Sequence, residues 1–184
     1  MMEELVVLVD ENDQEIGVME KMHAHEKGML HRAFSVFLFN EKGEVLLQQR
    51  ASSKYHSPDL WSNTCCSHPR PGEDVESAAN RRLMEEMGMT ASLTKMFSFQ
   101  YKTHFSNNLI EHEIDHVFCG LVENLPHLNR DEVQSWKYIG VDEVKKDMKL
   151  NPENYTSWFK ICFDRLIMEM DQMKENEYAK LIVA

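Results

Sequence analysis

At 184 residues, with 42% hydrophobic and 28% charged positions, the chain fits one soluble globular domain large enough to bury a substantial core. A formal net charge of −11 argues against nonspecific nucleic-acid binding, which needs a basic surface, but not against a small anionic ligand met by a few clustered cations. No apolar run approaches the roughly 20 residues of a membrane span, and the N-terminus (Glu3, Glu4) lacks the basic-then-apolar pattern of a signal peptide, so a cytoplasmic protein without membrane contact is expected.

In chain order, Leu5 to Val9 reads as a strand entering a turn at Asp10–Asp13. Ala33 to Phe39 and Val45 to Gln49 flank Asn40-Glu41-Lys42-Gly43-Glu44, which predicts a hairpin with Gly43 at positive φ. From Val75 the apolar positions Ala78, Ala79, Leu83 and Met87 form a helical stripe that stops before Gly88. Met96 to Tyr101 reads as a strand. Glu111 to Val122 reads as a longer one, with Glu111, Glu113 and Asp115 on one face and Ile114 and His116 on the other. Trp136 to Val141 is a further strand, and an amphipathic helix runs from Asn154 through Trp158, Ile161, Cys162, Leu166 and Met170. The fold class expected is α+β, a mixed sheet flanked by helices.

Four cysteines could make two disulfides, but neighbours such as Cys65 and Cys66 pair poorly, so free thiols in a reduced compartment are expected.

The densest chemistry lies in Ser62-Asn63-Thr64-Cys65-Cys66-Ser67-His68-Pro69 and the helix that follows it. Glu73, Arg81, Glu85-Glu86 and Gly88 resemble the Nudix box, in which carboxylates on one helical face collect a hard divalent cation for a diphosphate. Ser67 stands where the box begins with Gly, and Arg82 where it has the Glu of its Arg-Glu pair. An arginine there removes a metal ligand and adds a bidentate phosphate donor, favouring diphosphate binding over hydrolysis.

Leu30-His31-Arg32-Ala33-Phe34-Ser35, the Cys-x-His loop from Trp61, the degenerate box and Glu111-His112-Glu113 together resemble the type I isopentenyl-diphosphate isomerases, a branch of the Nudix superfamily. The likeness implies a single Nudix-like isomerase domain over 1–184, with a core of about 5–170 and a C-terminal tail 171–184. It implies interconversion of isopentenyl and dimethylallyl diphosphate in isoprenoid synthesis without redox chemistry or a flavin; nothing in the sequence demands a dimer, so a monomer is expected.

By position in that family, Cys66 and Glu113 are the opposed acid and base, with Tyr101 as a neighbouring hydroxyl and Trp158 as the aromatic facing a developing cation. The family's metal ligands match His25, His31, His68, Glu111 and Glu113, a set suited to Mn²⁺ or Zn²⁺. Glu86 matches the ligand of a Mg²⁺ shared with the diphosphate. Lys21, Arg50, Lys54 and Arg82 match the residues that grip the diphosphate, and Ser67 stands beside them. Cys65 reads as packing, Arg81 as a structural partner of a box carboxylate, and Trp61 as an aromatic that packs beside the loop. His23, His56, His104, His112, His116 and His127 read as ordinary surface or core histidines.

Overall fold

The computed structural model describes residues 4–183, and the side chains among them up to residue 173. Strand β1 (Leu5–Val9) turns through Asp10, whose carboxylate accepts from the backbone of Asn12 and Gln14, into β2 (Glu15–Glu20). A seven-residue helix α1 (Lys21–Lys27) follows, its first N–H groups capped by the Glu20 side chain. The predicted hairpin is present as β3 (His31–Phe39) and β4 (Glu44–Arg50), with Gly43 at φ +75°.

The hairpin strands pair only at Leu38–Leu46 and Phe39–Val45, then part. Short strands fill the fork. β5 (Trp61–Ser62) pairs with β4, and β6 (Cys65–Ser67) pairs with β3. Between them the Thr64 hydroxyl accepts from Leu38 N–H at 2.9 Å and donates to Leu46 C=O at 2.7 Å, replacing a ladder bond. Asn63 donates to Val36 C=O and Cys65 C=O. Buried backbone groups require such partners, which explains the polar, wholly buried run Ser62-Asn63-Thr64.

β8 (Ile110–Leu121) lies parallel to β3, with β7 (Thr94–His104) antiparallel on its far side, while β9 (Val133–Gly140) pairs with β4. Strand β3 is covered on both faces and so reads as a nearly continuous apolar run. Phe34, Val36 and Leu38 pack against Ala78, Ala79, Leu83 and Met87 of α2 (Val75–Met87). Phe37 and Phe39 pack against Phe159, Phe163 and Leu166 of the C-terminal helix.

Helix α2 carries the box. Asp74 caps it by accepting from Ser77 N–H at 3.0 Å, and Gly88 ends it at φ +64°. A Cβ at Gly88 would lie 2.6 Å from the His127 carbonyl oxygen, so only glycine fits.

The boundaries differ from the sequence reading in identifiable places. Val141 opens α3 (Val141–Leu150) instead of closing a strand. Pro152–Asn154 is a 3₁₀ turn, and α4 starts at Ser157 and runs to Val183. The tail expected over 171–184 continues the α4 backbone to Val183, and its side chains beyond residue 173 lie outside the described residues. β2 and α1 were not read from the sequence, because an edge strand containing Gly17 and a helix of two turns carry little periodic signal. Among the described residues no helix is long and apolar enough to cross a membrane. All four cysteines are free thiols.

Candidate active site

Alternation along β8 builds one wall of the site. Val117 and Cys119 belong to the core beneath α4, and the same face continues through Asp115, Glu113 and Glu111. Register then supplies the neighbours: His31 on β3 and Tyr101 on β7 both pair with Glu113, and Cys66 on β6 pairs with Ser35 on β3. The result is one cavity at which these strands converge. Cys66, Glu113, Glu111, Tyr101 and Trp158 line it, as do Lys21, Arg50, Lys54, Arg82, Ser67 and His68. Residues scattered from position 21 to position 158 therefore meet at one place.

Four donors converge on one side: His25, His31, His68 and Glu113 offer ligand atoms within 4.8 Å of one another. The backbone sets the histidine tautomers. His25 Nδ1 lies 2.7 Å from Lys21 C=O, one helical turn earlier, and His31 Nδ1 lies 2.8 Å from Met29 C=O. Each Nδ1 must carry the proton, leaving the Nε2 lone pair free. Both Nε2 atoms are buried without a hydrogen-bond partner. His31 Nε2 stands 3.3 Å, and His68 Nε2 3.0 Å, from Glu113 Oε1. A carboxylate facing two imidazole nitrogens needs positive charge among them, either shared protons or a metal ion, and this donor set fits a divalent metal ion. Glu111 falls outside this foursome and groups with His25 and His56.

Burial and neighbouring charge set the protonation states. Burial pushes the Cys66 thiol up to about 12, against the opposing pull of Arg50, so the sulfur holds its proton. Burial also pushes Glu113 upward, but the His31 and His68 contacts prevail and hold it well below the carboxylate range. Glu111 is driven well above that range by burial and then by the charge on Glu113. Tyr101 O–H lies 2.6 Å from Glu113 Oε2 and 3.1 Å from Glu111 Oε2. With one proton to give, Tyr101 donates to the ionised Glu113, and protonated Glu111 donates to the phenol oxygen. Asp115, accepting from Ser35 Oγ at 2.7 Å, is raised to about 8 by burial and then by Glu113. Burial lowers His68 to about 4, so it is neutral.

Three of the four cations, Lys21, Lys54 and Arg82, are held by acidic partners. Glu132, in the loop before β9, pairs with Lys54 and lies 3.1 Å from Arg82. Arg82 also reaches Glu86 at 2.7 Å and Glu85 at 2.8 Å. Lys21 pairs with Glu4 at 3.0 Å. Arg50 donates to the carbonyls of His56 and Ser57, and its guanidinium sits 5.2 Å from the Trp158 ring centroid. Glu86 is off the cavity wall, its oxygens accepting from Arg82 and Gln48. It therefore fits a metal less well than the imidazole cluster does. Arg81, as expected, grips Glu73 in a bidentate pair at 2.7 and 2.8 Å.

Trp158 is buried, and its indole N–H donates to Asn63 at 3.0 Å. Cys65 is fully buried among the α2-side apolar residues, the packing role expected of it. Trp61 lies beside the α4-side core with the Lys137 ammonium 4.1 Å from its ring centroid. His116 pairs with Asp13 at 2.9 Å, away from the site.

Two site residues escaped the sequence reading. His56 lines the cavity, its Nε2 3.2 Å from Glu111 Oε1, yet a lone histidine in the loop between β4 and β5 carries no spacing signal. Glu132 joins Lys54 to Arg82 from 78 positions beyond the lysine, a link visible only in three dimensions.

A NUDIX domain pattern matches residues 29–159. The isopentenyl-diphosphate Delta-isomerase of Pectobacterium atrosepticum is 54% identical over 161 residues, which cover 88% of this chain and 90% of that protein. Isopentenyl-diphosphate Delta-isomerase 2 of Photorhabdus laumondii is 47% identical over 181 residues, covering 98% of this chain and 100% of its own length. Among solved structures, DR0079 from Deinococcus radiodurans superposes with a TM-score of 0.74 at 18% identity, over 88% of this chain and 98% of that one, a likeness of fold alone. The chain is thus a member of the Nudix family and, within it, of the isopentenyl-diphosphate Delta-isomerases.

Proposed function

We propose that this protein interconverts isopentenyl and dimethylallyl diphosphate by moving a proton on to one end of an allyl unit and another off its far end. The observation that carries the reading is that the Cys66 thiol and the Glu113 carboxylate line one cavity, with Tyr101 and Trp158 beside them.

An alkene is a very weak base, and its protonation gives a tertiary carbocation, so acid and base must act on it where water is excluded. In one direction Cys66 gives its proton to the terminal carbon and Glu113 accepts one from the carbon on the other side of the cation; the reverse direction exchanges the two roles. Arg50, whose charge favours the thiolate, steadies the sulfur once the proton has left. The Trp158 indole supplies a π face to the cation, an interaction of about 2 kcal/mol when desolvated. Tyr101 donates to the Glu113 oxygen and so steadies the base, with Glu111 on its other side.

Lys21, Arg50, Lys54 and Arg82 bind the diphosphate, with Ser67 beside them. His25, His31, His68, Glu113 and Glu111 hold a divalent ion, Mn²⁺ or Zn²⁺ by donor type, and Mg²⁺ accompanies the diphosphate near Glu86. The ion at the histidines supplies fixed positive charge that offsets the buried carboxylates. The setting is the cytoplasm.

The test is incubation of the purified protein with isopentenyl diphosphate in deuterated water, with and without chelator. Dimethylallyl diphosphate carrying deuterium, lost on chelation, is the expected product. Release of phosphate without isomerisation would identify a diphosphate hydrolase instead.

A further inference from the structure

We propose that His56 is a positioning residue for the metal site: its Nε2–H donates to Glu111 Oε1 and fixes the orientation of that carboxylate. The single ion keeps His25, His31, His68, Glu111 and Glu113 as its ligands, and His56 stays outside that set. This role rests on the metal reading of the cluster given above. Glu111 is buried, and among the described residues no lysine or arginine forms an ion pair with it. Its Oε2 has the Tyr101 hydroxyl at 3.1 Å, and its Oε1 has His56 Nε2 at 3.2 Å. A carboxylate met by one partner swings about its last side-chain bond, whereas one met at both oxygens is held. An oxygen that accepts one N–H keeps a second lone pair for an ion, so the contact does not compete with ligation.

The imidazole is itself fixed. It stacks on Phe105, with centroids 4.9 Å apart and planes 15° apart, and meets the Trp158 ring edge-on at 5.9 Å. Arg50 donates to the carbonyls of His56 and Ser57 at 3.2 and 3.1 Å, and Asn107 donates to Tyr55 C=O at 2.9 Å. The backbone that carries the ring is thereby tied to β4 on one side and to the β7–β8 turn on the other. The Ser57 hydroxyl, 3.5 Å from Nδ1, donates to that nitrogen, which leaves the ring proton on Nε2. Tyr101 O–H in turn lies 2.6 Å from Glu113 Oε2, so the loop between β4 and β5 reaches the base through Glu111 and Tyr101. Partners of this kind behind a ligating carboxylate set its aim at the metal.

Mn²⁺ affinity of the purified full chain, read from the paramagnetic resonance signal of the free ion, tests the role. His56→Phe keeps an aromatic ring against Phe105 and Trp158 but has no N–H, whereas His56→Gln keeps a donor. Failure of the wild type to bind Mn²⁺ sinks the metal reading itself, and the role of His56 with it. If His56 positions Glu111, His56→Phe binds Mn²⁺ about tenfold to a hundredfold more weakly, and His56→Gln stays within about threefold of wild type. Adding His56→Phe to Glu111→Gln then costs no further affinity, because the carboxylate through which it acts is gone. Wild-type affinity in His56→Phe, a loss in His56→Gln as large as in His56→Phe, or an equal loss with and without the Glu111 carboxylate would overturn the role and leave the metal site standing. If His56→Phe does not fold by circular dichroism, His56→Leu, which also lacks a donor, takes its place.

Discussion

The indole N–H of Trp158 donates to Asn63 Oδ1 at 3.0 Å, tying the second residue of α4 to the turn that carries Cys66. Asn63 also satisfies Val36 C=O and Cys65 C=O, so one amide fixes the aromatic wall and the thiol strand together. Replacing it with alanine leaves a buried donor and two acceptors unpaired. Asn63→Ala is expected to lower stability by roughly 2–4 kcal/mol in urea melts and to reduce turnover of the folded fraction. An unchanged urea midpoint would mean that water satisfies these groups equally well.

The raised thiol makes Cys66 an acid at rest and a poor nucleophile. Cys66→Ala is expected to cut turnover by about 10³-fold or more while the affinity for dimethylallyl diphosphate, read by calorimetry, stays within about threefold. In the folded wild type at pH 8, iodoacetamide should label Cys66 far more slowly than the same cysteine in urea. Fast native labelling would contradict a protonated resting sulfur.

Glu132 positions two of the cations assigned to the diphosphate, Lys54 and Arg82. Glu132→Gln should raise KM more than it lowers kcat, because it loosens binding groups without touching the reacting carbons. Acid stability gives a second readout. Burial works to raise this carboxyl, but Lys54 and then Arg82 prevail and lower it to about 2. A depressed carboxylate stabilises the folded state above its ordinary range near pH 4.5 and loses that contribution as pH falls toward 2. The stability gap between wild type and Glu132→Gln, of order 1–2 kcal/mol at pH 6, should close between about pH 4.5 and pH 2 in urea melts. A gap that widened with acid would reverse the assignment.

Metal removal should destabilise the chain, because a ligand that binds only the folded state adds stability by mass action. At 100 times its dissociation constant an ion adds about 2.7 kcal/mol, equivalent to roughly 5–10 °C in Tm for a chain of this length. Calorimetric scans with chelator, then with added Mn²⁺ or Zn²⁺, read the effect. His31→Gln should abolish most of it, since His31 Nε2 is one of the buried unpartnered nitrogens at the cluster.

Much of this molecule could be read before it was seen folded. The alternation that sets Glu111, Glu113 and Asp115 on one face, the β3–β4 hairpin, and the box helix ending at Gly88 follow from local rules of period two, period 3.6 and glycine's tolerance of positive φ. Cys66, His68 and the box were recognisable because they lie within some twenty residues, close enough for spacing to carry meaning. Tertiary structure decided the rest. Register between β3 and β8 brings His31 to Glu113, a fork between β3 and β4 makes room for the Cys66 strand, and loop closure places His56 against Glu111 and Glu132 between Lys54 and Arg82. Such partners are chosen by strand pairing and packing across long stretches of chain, and no local pattern of residue types encodes them.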